Sequence, residues 1–406
     1  MHTQSLACSI CNSEPRVRRW CREFSKIRVS ETTINQAIEA AKHPNLLETP
    51  AQLEAAERAW LLADVLGIDT EFVRERTYRA DLGLVQVSDG RSAWLWDPLR
   101  FDSHTAITRL LENTDITKIL HSGSEDLEVM RHTLGAIPEP LVDTQIACAM
   151  LGQPLQLSFQ GAAKWLFDVE IDKEHTRSNW LKRPLQPGQL HYAAMDVVLL
   201  PLILDELRPR LEAAGRWSWL QEDVARMQRN SELSVDADEA WLRIAGASRL
   251  DDTSLRALRS LARWREQTAE ARNRARGFVV SDAGLLELAR LRPNTAADLR
   301  TIEQLHPNAV ARHERDLLQM IGAAAADRSP LQRIESLSDA QRRLLNQMRQ
   351  LVQARAKELE IDPALLASRR ELEKLVRAGT DPDAIPERFL GWRRQVITDE
   401  LLAIMG

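Results

Sequence analysis

The stretch that decides the fold is Val65-Leu66-Gly67-Ile68-Asp69-Thr70-Glu71. An apolar run followed by acids predicts a buried β-strand that ends in a pair of carboxylates. Because side chains at positions i and i+2 of a strand point to the same face, Asp69 and Glu71 are expected side by side, with Thr70 turned away. Neighbouring carboxylates repel each other and favour a bound Mg²⁺ or Mn²⁺ ion; two solvated acids at a strand end are the alternative.

Signals on both sides of this strand predict an α/β domain. A helix over Pro50–Trp60 precedes it, and two strands follow, at Leu82–Val87 and Ala93–Trp96, separated by the turn Asp89-Gly90. Helical and strand segments then alternate. The expected architecture is a mixed sheet flanked by helices.

A second acidic motif follows the apolar segment Lys118-Ile119-Leu120. Ser122 and Glu125 have the spacing of a capping box, which predicts a helix beginning here. Asp126 lies in its first turn, beside the apolar stripe. An acid at this place is also favourable with the helix dipole alone, so the motif by itself admits a purely structural interpretation.

A third motif is Tyr192-Ala193-Ala194-Met195-Asp196, inside a helix predicted over 187–207. The i, i+4 spacing places Tyr192 and Asp196 on one helix face, about one turn apart. A hydroxyl and a carboxylate in this arrangement can share a metal-bound water. A half-buried tyrosine beside a surface acid is the alternative.

The chain divides into several regions. Residues 1–45 are expected to be a disordered or weakly helical extension, 46–220 the α/β domain, and 221–240 an acidic linker. Beyond Trp241 apolar residues recur at helical spacing, as at Leu255, Leu258 and Leu261. Two helical bundles are therefore predicted, at 241–322 and 331–406, with a linker at 323–330.

The composition excludes several classes of protein. The chain has 406 residues and a net charge of −5, with 44% hydrophobic and 28% charged residues, as in globular proteins. It lacks an apolar run of about 18 residues and the pattern of a secretory signal, so no membrane association is expected. Four cysteines predict a reducing cytoplasm rather than a disulfide framework. The pair Cys8 and Cys11 lacks a second well-spaced pair, which favours a non-metal extension over a zinc site.

The three motifs, in this order, resemble the DEDD superfamily of 3′–5′ exonucleases, in its tyrosine subclass. Further stretches are similar to the ribonuclease D family: Phe72-Val73-Arg74, Arg76-Thr77-Tyr78, Gly83 to Gln86, Asp143-Thr144-Gln145 and Lys173 to Pro184. The helical tails resemble HRDC domains. The resemblance covers residue 46 to the C-terminus and implies a ribonuclease H-like exonuclease domain followed by two HRDC bundles.

The resemblance also implies an activity. Asp69, Glu71, Asp126 and Asp196 would bind two Mg²⁺ or Mn²⁺ ions, and Tyr192 would orient the attacking water. The substrate would be RNA with a 3′ end, precursor tRNA in particular, shortened with release of 5′-monophosphates. The sequence leaves the oligomeric state open and favours a monomer. A DNA exonuclease of the Werner or proofreading type and a catalytically inactive nucleic-acid scaffold are the alternatives.

Candidate RNA contacts are less specific. Phe72 follows the acidic pair and either stacks on the terminal base or belongs to the core. Arg177 and Arg183 precede the tyrosine helix and are candidates for phosphate contacts. A third group lies in the first helical bundle, where an arginine run can also be an ordinary solvated face; it consists of Arg272, Arg274 and Arg276.

Overall fold

The computed structural model describes residues 29–101, 104–172, 178–232, 236–331 and 336–406. The predictions for Cys8, Cys11 and Arg177 therefore lie outside the described residues. Within these ranges no helix is both long enough and apolar enough to cross a bilayer.

A six-stranded mixed sheet forms the centre of the first domain, in the order β1-β4-β3-β2-β5-β6. The strands are β1 Asn45–Leu47, β2 Val65–Val73, β3 Asp81–Ser88, β4 Ala93–Trp96, β5 Thr117–Leu120 and β6 Leu141–Asp143. β3 is antiparallel to both β2 and β4, whereas the β1–β4, β2–β5 and β5–β6 pairs are parallel. The predicted mixed sheet is confirmed.

Helices cover both faces of this sheet. They are α1 Glu31–Lys42, α2 Pro50–Trp60, α3 His104–Glu112, α4 Ser124–Leu134, α5 Thr144–Met150, α6 Phe159–Phe167, α7 Pro187–Val198, α8 Leu200–Ala213 and α9 Trp217–Glu232. The single helix predicted over 187–207 is in fact two, α7 and α8, which meet at Leu199.

β2 is longer than predicted, because it continues through the acidic pair to Val73. Only Val65–Gly67 pairs with β5, so among the described strands the second half of β2 has β3 as its one neighbour. The register with β3 shifts between Glu71 and Phe72. Asp69 and Glu71 thus lie within a strand that has one side open to other elements.

The predicted capping box of α4 is wrong. Its N-cap is Gly123, which makes no side-chain cap, and Ser122 has a positive φ of 64°. A residue later in the chain stabilises this turn instead, since the Gly123 N–H donates to Asp143 Oδ2 at 2.8 Å. Asp143 Oδ1 also accepts the backbone N–H groups of Gln145 and Ile146, which caps α5.

The boundary predicted at residue 45 is too late. α1 packs on α7 with Ile34, Ala37 and Ala41 buried, and β1 adds a strand to the edge of the sheet beside β4. Residues 31–45 therefore belong to the first domain. The sequence suggested an extension because the exposed face of α1 is polar and because its apolar residues are few and mostly alanine.

Neither predicted linker has the predicted limits. α9 runs to Glu232 with Leu220 and Val224 buried, so most of 221–240 is an ordered helix. A 3₁₀ helix, Ala237–Arg243, then contributes Trp241 to the next core. The other linker begins later than expected, because the preceding helix reaches Ala326.

Helical region 1, residues 236–331, encloses a separate apolar core. Its helices are α10 Asp252–Ala271, α11 Arg276–Val279, α12 Asp282–Leu291, α13 Ala296–Leu299 and α14 Pro307–Ala326, besides 3₁₀ helices at Ala237–Arg243 and Ala247–Arg249. α10 and α14 are long amphipathic helices whose apolar faces form this core, so the sequence here shows helical rather than strand periodicity.

Helical region 2, residues 336–406, shares its core with the first domain. Its α-helices are α15 Asp339–Glu358, α16 Pro363–Leu366, α17 Arg369–Ala378 and α18 Asp399–Ala403. Short 3₁₀ helices at Pro382–Ala384 and Glu387–Phe389 and a π-helix at Arg394–Thr398 complete it. Trp392 stacks on Trp219 of α9 with ring centroids 4.4 Å apart, which joins the two parts directly.

Candidate active site

β2 and α7 bring three carboxylates together. Ligand oxygens of Asp69, Glu71 and Asp196 all lie within 4.8 Å of one another. Asp69 and Glu71 share one face of β2, as their i, i+2 spacing predicted. Asp196 reaches them from α7, which packs across that face. The predicted proximity of the first and third motifs is thus present in the structure.

A glycine makes this close packing possible. Gly67 lies two residues before Asp69, on the same face of β2. A Cβ at Gly67 would lie 2.7 Å from the carbonyl oxygen of Val197 and 2.9 Å from Cβ of Leu200. The end of α7 therefore rests on the strand backbone itself, which sets how near Asp196 comes to Asp69.

Asp126 lies beside the trio but is not part of it. Its carboxylate accepts a hydrogen bond from the hydroxyl of Thr70, and the residue is only 8% exposed. Thr70 was expected merely to turn away from the acidic pair. It holds the fourth carboxylate on the open side of β2, a role that its place between two acids did not reveal.

The acids are crowded in a partly buried place, which favours their protonated forms. Burial raises the pKa of Glu71 to about 9, with added repulsion from Asp196 and Asp126. Burial and the charges of the other three acids also raise the pKa of Asp69 well above its ordinary value. A bound cation would reverse this preference by pairing with the ionised forms.

The donor set fits a divalent cation. Burial raises the pKa of Asp196 to about 7, against a hydrogen bond from Tyr192 that lowers it. The other oxygen, Asp196 Oδ1, is buried and has no hydrogen-bond partner within the described ranges. Carboxylate oxygens are the ligands that Mg²⁺ and Mn²⁺ prefer, and a buried oxygen of this kind needs a partner.

A loop packed over β3 forms the wall beside Tyr192. Trp180 is fully buried, with its ring centroid 6.2 Å from that of Tyr192. A Cβ on Gly83 of β3 would lie 2.7 Å from the Trp180 carbonyl oxygen, so only glycine allows this approach. The loop thereby limits how Tyr192 can move.

Arg183 secures the same loop, and its guanidinium is engaged there by internal bonds, which argues against the predicted phosphate contact. Its guanidinium makes a two-pronged ion pair with Asp97, at 2.6 and 2.8 Å, and also donates to the Gly83 carbonyl at 2.6 Å. These bonds occupy the fork that a phosphate would need. Sequence spacing gave no sign of a partner so distant along the chain.

Arg276 likewise has an internal role, which argues against its predicted contact with RNA. It binds the buried carboxylate of Glu266 at 2.6 and 2.5 Å and lies 4.6 Å above the ring of Tyr78. Tyr78 follows β2 and also donates to Glu266.

The other candidate RNA contacts lie at or near the surface. Arg272 is exposed and Arg274 half-buried, with no ion pair to either in the described part of the chain. Phe72 is half-buried against the core.

Comparison with known proteins agrees with this arrangement. Residues 44–212 match the family model described as 3′-5′ exonuclease, and residues 254–321 match the HRDC domain. Fold and site together define a 3′–5′ exonuclease domain followed by an HRDC domain. The exonuclease domain and its acidic cluster indicate use of a divalent metal.

Similar proteins narrow the class. Ribonuclease D of Pseudomonas paraeruginosa is 37% identical over 357 residues, which cover 87% of this chain and 95% of the relative. Ribonuclease D of Escherichia coli is 34% identical, over 83% of this chain and 91% of the relative. The crystal structure of E. coli RNase D, described as an exoribonuclease involved in structured RNA processing, matches with a TM-score of 0.82 and 31% identity, covering 89% of this chain and 98% of that one.

The chain belongs to the ribonuclease D family and is a 3′–5′ exoribonuclease that acts on RNA. The catalytic core of RRP6 from Trypanosoma brucei shares its fold, with a TM-score of 0.59 at 21% identity.

Proposed function

We propose that this exoribonuclease shortens precursor tRNA and other structured RNAs from their 3′ ends, releasing 5′-monophosphates one at a time. The observation that carries the proposal is the trio Asp69, Glu71 and Asp196, with ligand oxygens within 4.8 Å of one another. Asp126, held beside them by Thr70, is proposed as the fourth metal ligand. We propose that the enzyme is a monomer and that it acts in the cytoplasm.

When bound, two Mg²⁺ or Mn²⁺ ions supply an activated water and stabilise negative charge on the departing 3′ oxygen. The protein's own part is to hold the four carboxylates and the substrate. Tyr192 donates to Asp196, at the edge of the acidic trio, and from this position its hydroxyl orients the attacking water. Phe72 stacks on the terminal base with its exposed edge.

Helical region 1 is proposed to hold RNA upstream of the 3′ end, through Arg272 and Arg274. Burial and the nearby charge of Arg272, with those of Arg312 and Arg274, lower the pKa of His313, so the guanidiniums converge on one end of the bundle. The Ala275 N–H donates to the Arg76 carbonyl at 2.9 Å. The chain from Glu71 to Arg76 spans at most about 18 Å, which keeps this end near the carboxylates. Helical region 2 is proposed to be a second HRDC domain.

Digestion of a 5′-labelled, 3′-extended tRNA tests the site. We expect the wild type to give a ladder shortening from the 3′ end with Mg²⁺ or Mn²⁺ and none with EDTA. Asp69→Asn and Asp196→Asn should each lower the rate by at least about 10³-fold, since both remove a ligand of the ions that stabilise the transition state.

Glu128→Gln is the matched control, because Glu128 is an exposed acid of α4 that lies outside the trio. Its rate should stay within about twofold of the wild type. An active Asp69→Asn variant would contradict the proposed site, and preference for single-stranded DNA over RNA would contradict the proposed substrate.

Binding of single-stranded RNA across a salt series tests the contacts of helical region 1. Arg272→Ala/Arg274→Ala should flatten the slope of log affinity against log salt by about 1.4, the value for two lost phosphate contacts. Arg249→Ala, at another exposed arginine of the same region, should leave the slope unchanged. If Arg272→Ala/Arg274→Ala and Arg249→Ala gave the same salt slope, the RNA would not contact Arg272 and Arg274.

A further inference from the structure

Gln86 is a buried amide without hydrogen bonds. Its side chain is 0% exposed, and neither Oε1 nor Nε2 has a partner among the residues that the structure describes. An unpaired polar group in a protein interior destabilises the fold, so each such group calls for an explanation. Packing alone does not need an amide here, since methionine or leucine would fill similar volume.

Gln86 lies directly opposite Asp69. The two are Cα partners in the antiparallel β2–β3 pair, and Gln86 is in turn the partner of Leu95 in β4. Side chains of opposed residues project to the same face with Cβ atoms about 4.5–5.5 Å apart. The carboxamide therefore occupies the row between a fully buried leucine and the first carboxylate of the site.

The chemistry of the surroundings makes Asp69 the natural acceptor. Two other neighbours of Gln86 on this face, Leu84 and Leu95, are fully buried leucines. A third, Ser88, already donates its hydroxyl to the Ser92 carbonyl and accepts from the Gly90 N–H. Asp69 already accepts a hydrogen bond from the backbone N–H of Thr70. A carboxylate has about four acceptor positions, so it can bind a cation and still accept a side-chain donor.

We propose that Gln86 is a positioning residue for Asp69. Its Nε2–H donates to the ionised Asp69 carboxylate when a divalent cation is bound, and so fixes the orientation in which Asp69 presents its other oxygen to the ion. Carboxylates that ligate metals are generally held by such hydrogen bonds from outside the coordination sphere. The inference rests on the proposed role of Asp69 as a metal ligand.

Titration of the metal-free protein with Mn²⁺, followed by electron paramagnetic resonance without RNA, measures this role separately from activity. Gln86→Met and Gln86→Leu should each raise the Kd for Mn²⁺ by about 10- to 100-fold, the usual loss when a metal ligand loses its outer partner. The unfolding temperature in EDTA should be unchanged or higher, because an unpaired buried amide has been replaced by an apolar group.

Leu95→Met is the matched control, since it changes packing in the same row without touching a hydrogen bond. It should leave the Kd for Mn²⁺ within about twofold of wild type, by the ordinary tolerance of cores for volume-conserving changes. If Leu95→Met weakens Mn²⁺ binding as much as Gln86→Met, the effect is one of packing and the proposal is overturned.

Asp196→Asn separates this proposal from the one on which it rests. Loss of Mn²⁺ binding in Asp196→Asn, with unchanged binding in both Gln86 variants, would overturn the role of Gln86 alone. Equal Mn²⁺ binding in wild type and Asp196→Asn would overturn the cation site, and the role of Gln86 with it.

Discussion

Helical regions 1 and 2 both follow the exonuclease domain, but different chemistry attaches each of them. Region 1 has its own apolar core, against which the ring of Tyr78 packs, and otherwise meets the domain through polar contacts. These are the bonds of Tyr78 with Glu266 and Arg276, and that of Arg79 with Glu270 at 2.8 Å. Region 2 has no such separation. Its apolar residues continue the core of the domain, and Arg393 binds Asp223 of α9 with both side chains buried.

Region 1 is thus attached to the exonuclease domain, whereas region 2 is an integral part of it. Polar contacts at a surface exchange readily with water, so region 1 can loosen without exposing a core. Region 2 cannot leave without exposing apolar surface, at a loss proportional to the area exposed. We therefore expect two cooperative units: region 1 alone, and the exonuclease domain together with region 2.

The largest effect is expected at Arg393. Arg393→Met leaves the Asp223 carboxylate buried without its main partner, which typically costs about 3–5 kcal/mol. Arg226 and Arg388 remain near Asp223, at 3.0 and 3.8 Å, so the loss should fall at the lower end of that range. Urea unfolding of the unit that contains Trp219 and Trp392 measures it.

Arg394→Met is the control for this change, because Arg394 is an exposed neighbour paired with Asp399. It should alter the free energy of unfolding by no more than about 0.5 kcal/mol. If Arg393→Met were equally mild, region 2 would not be an integral part of the fold.

A smaller and more local effect is expected at the polar junction. Arg276→Met removes two charge-assisted hydrogen bonds to Glu266. Glu266 still accepts the hydrogen bond from Tyr78. We expect region 1 to lose about 1.5–2 kcal/mol, the lower part of the range for a hydrogen bond to a charged group, because the Arg276 side chain is 39% exposed. Hydrogen exchange should show faster opening in α10 and α11 and no change in β2 or β5; loss spread over both units would contradict the division.

The carboxylates themselves should make the metal-free enzyme less stable as the pH rises. The folded protein retains protons up to about pH 6 at Asp126, 7 at Asp196 and 9 at Glu71, whereas the unfolded chain releases them near pH 4. The folded state therefore binds more protons in this window, and stability falls across it.

At pH 8 without metal, Asp196→Asn should unfold about 2–4 °C higher than wild type, equivalent to about 1 kcal/mol. The gain should shrink as the pH falls toward 4 and vanish below it, where the acid is protonated in both states. Mn²⁺ should raise the unfolding temperature of the exonuclease unit and leave that of region 1 unchanged. A metal effect on both transitions would mean that they are one unit.

The smallest effect is expected for an exposed ion pair inside region 1. Arg290 contacts Glu287 of the same helix at 2.8 Å, with the arginine largely in solvent. Arg290→Ala should leave the urea midpoint of region 1 unchanged within the precision of the measurement, because exposed pairs are screened by water and salt. A lower midpoint would show that polar surface contacts stabilise this region more than its apolar core suggests.

Local spacing carried most of the correct predictions. The limits of α2 and β4 followed from propensity and turn residues, and Asp69, Glu71 and Asp196 met because strand and helix periodicities place them. The failures involve partners far apart in the chain. The bond from Thr70 to Asp126 and the ion pair of Arg183 with Asp97 depend on tertiary packing, which one sequence does not encode as a visible pattern.

Boundaries failed for a related reason. Residues 217–232 look polar because one face of α9 meets water, while its few apolar residues contact a core whose buried members come from the exonuclease domain and from helical region 2. The internal role of Arg276 was hidden in the same way, since its partner Tyr78 precedes it by most of the domain.

Gly67 has a consequence for how members of such a family are recognised. The position next to the acids carries no side chain, and the backbone of α7 fills the place where one would be. Gly67→Ala would push α7 away from β2 and separate Asp196 from Asp69, with every acid still present. A search for catalytic motifs would classify that variant as active, so the diagnosis of an intact enzyme must include a residue that performs no chemistry.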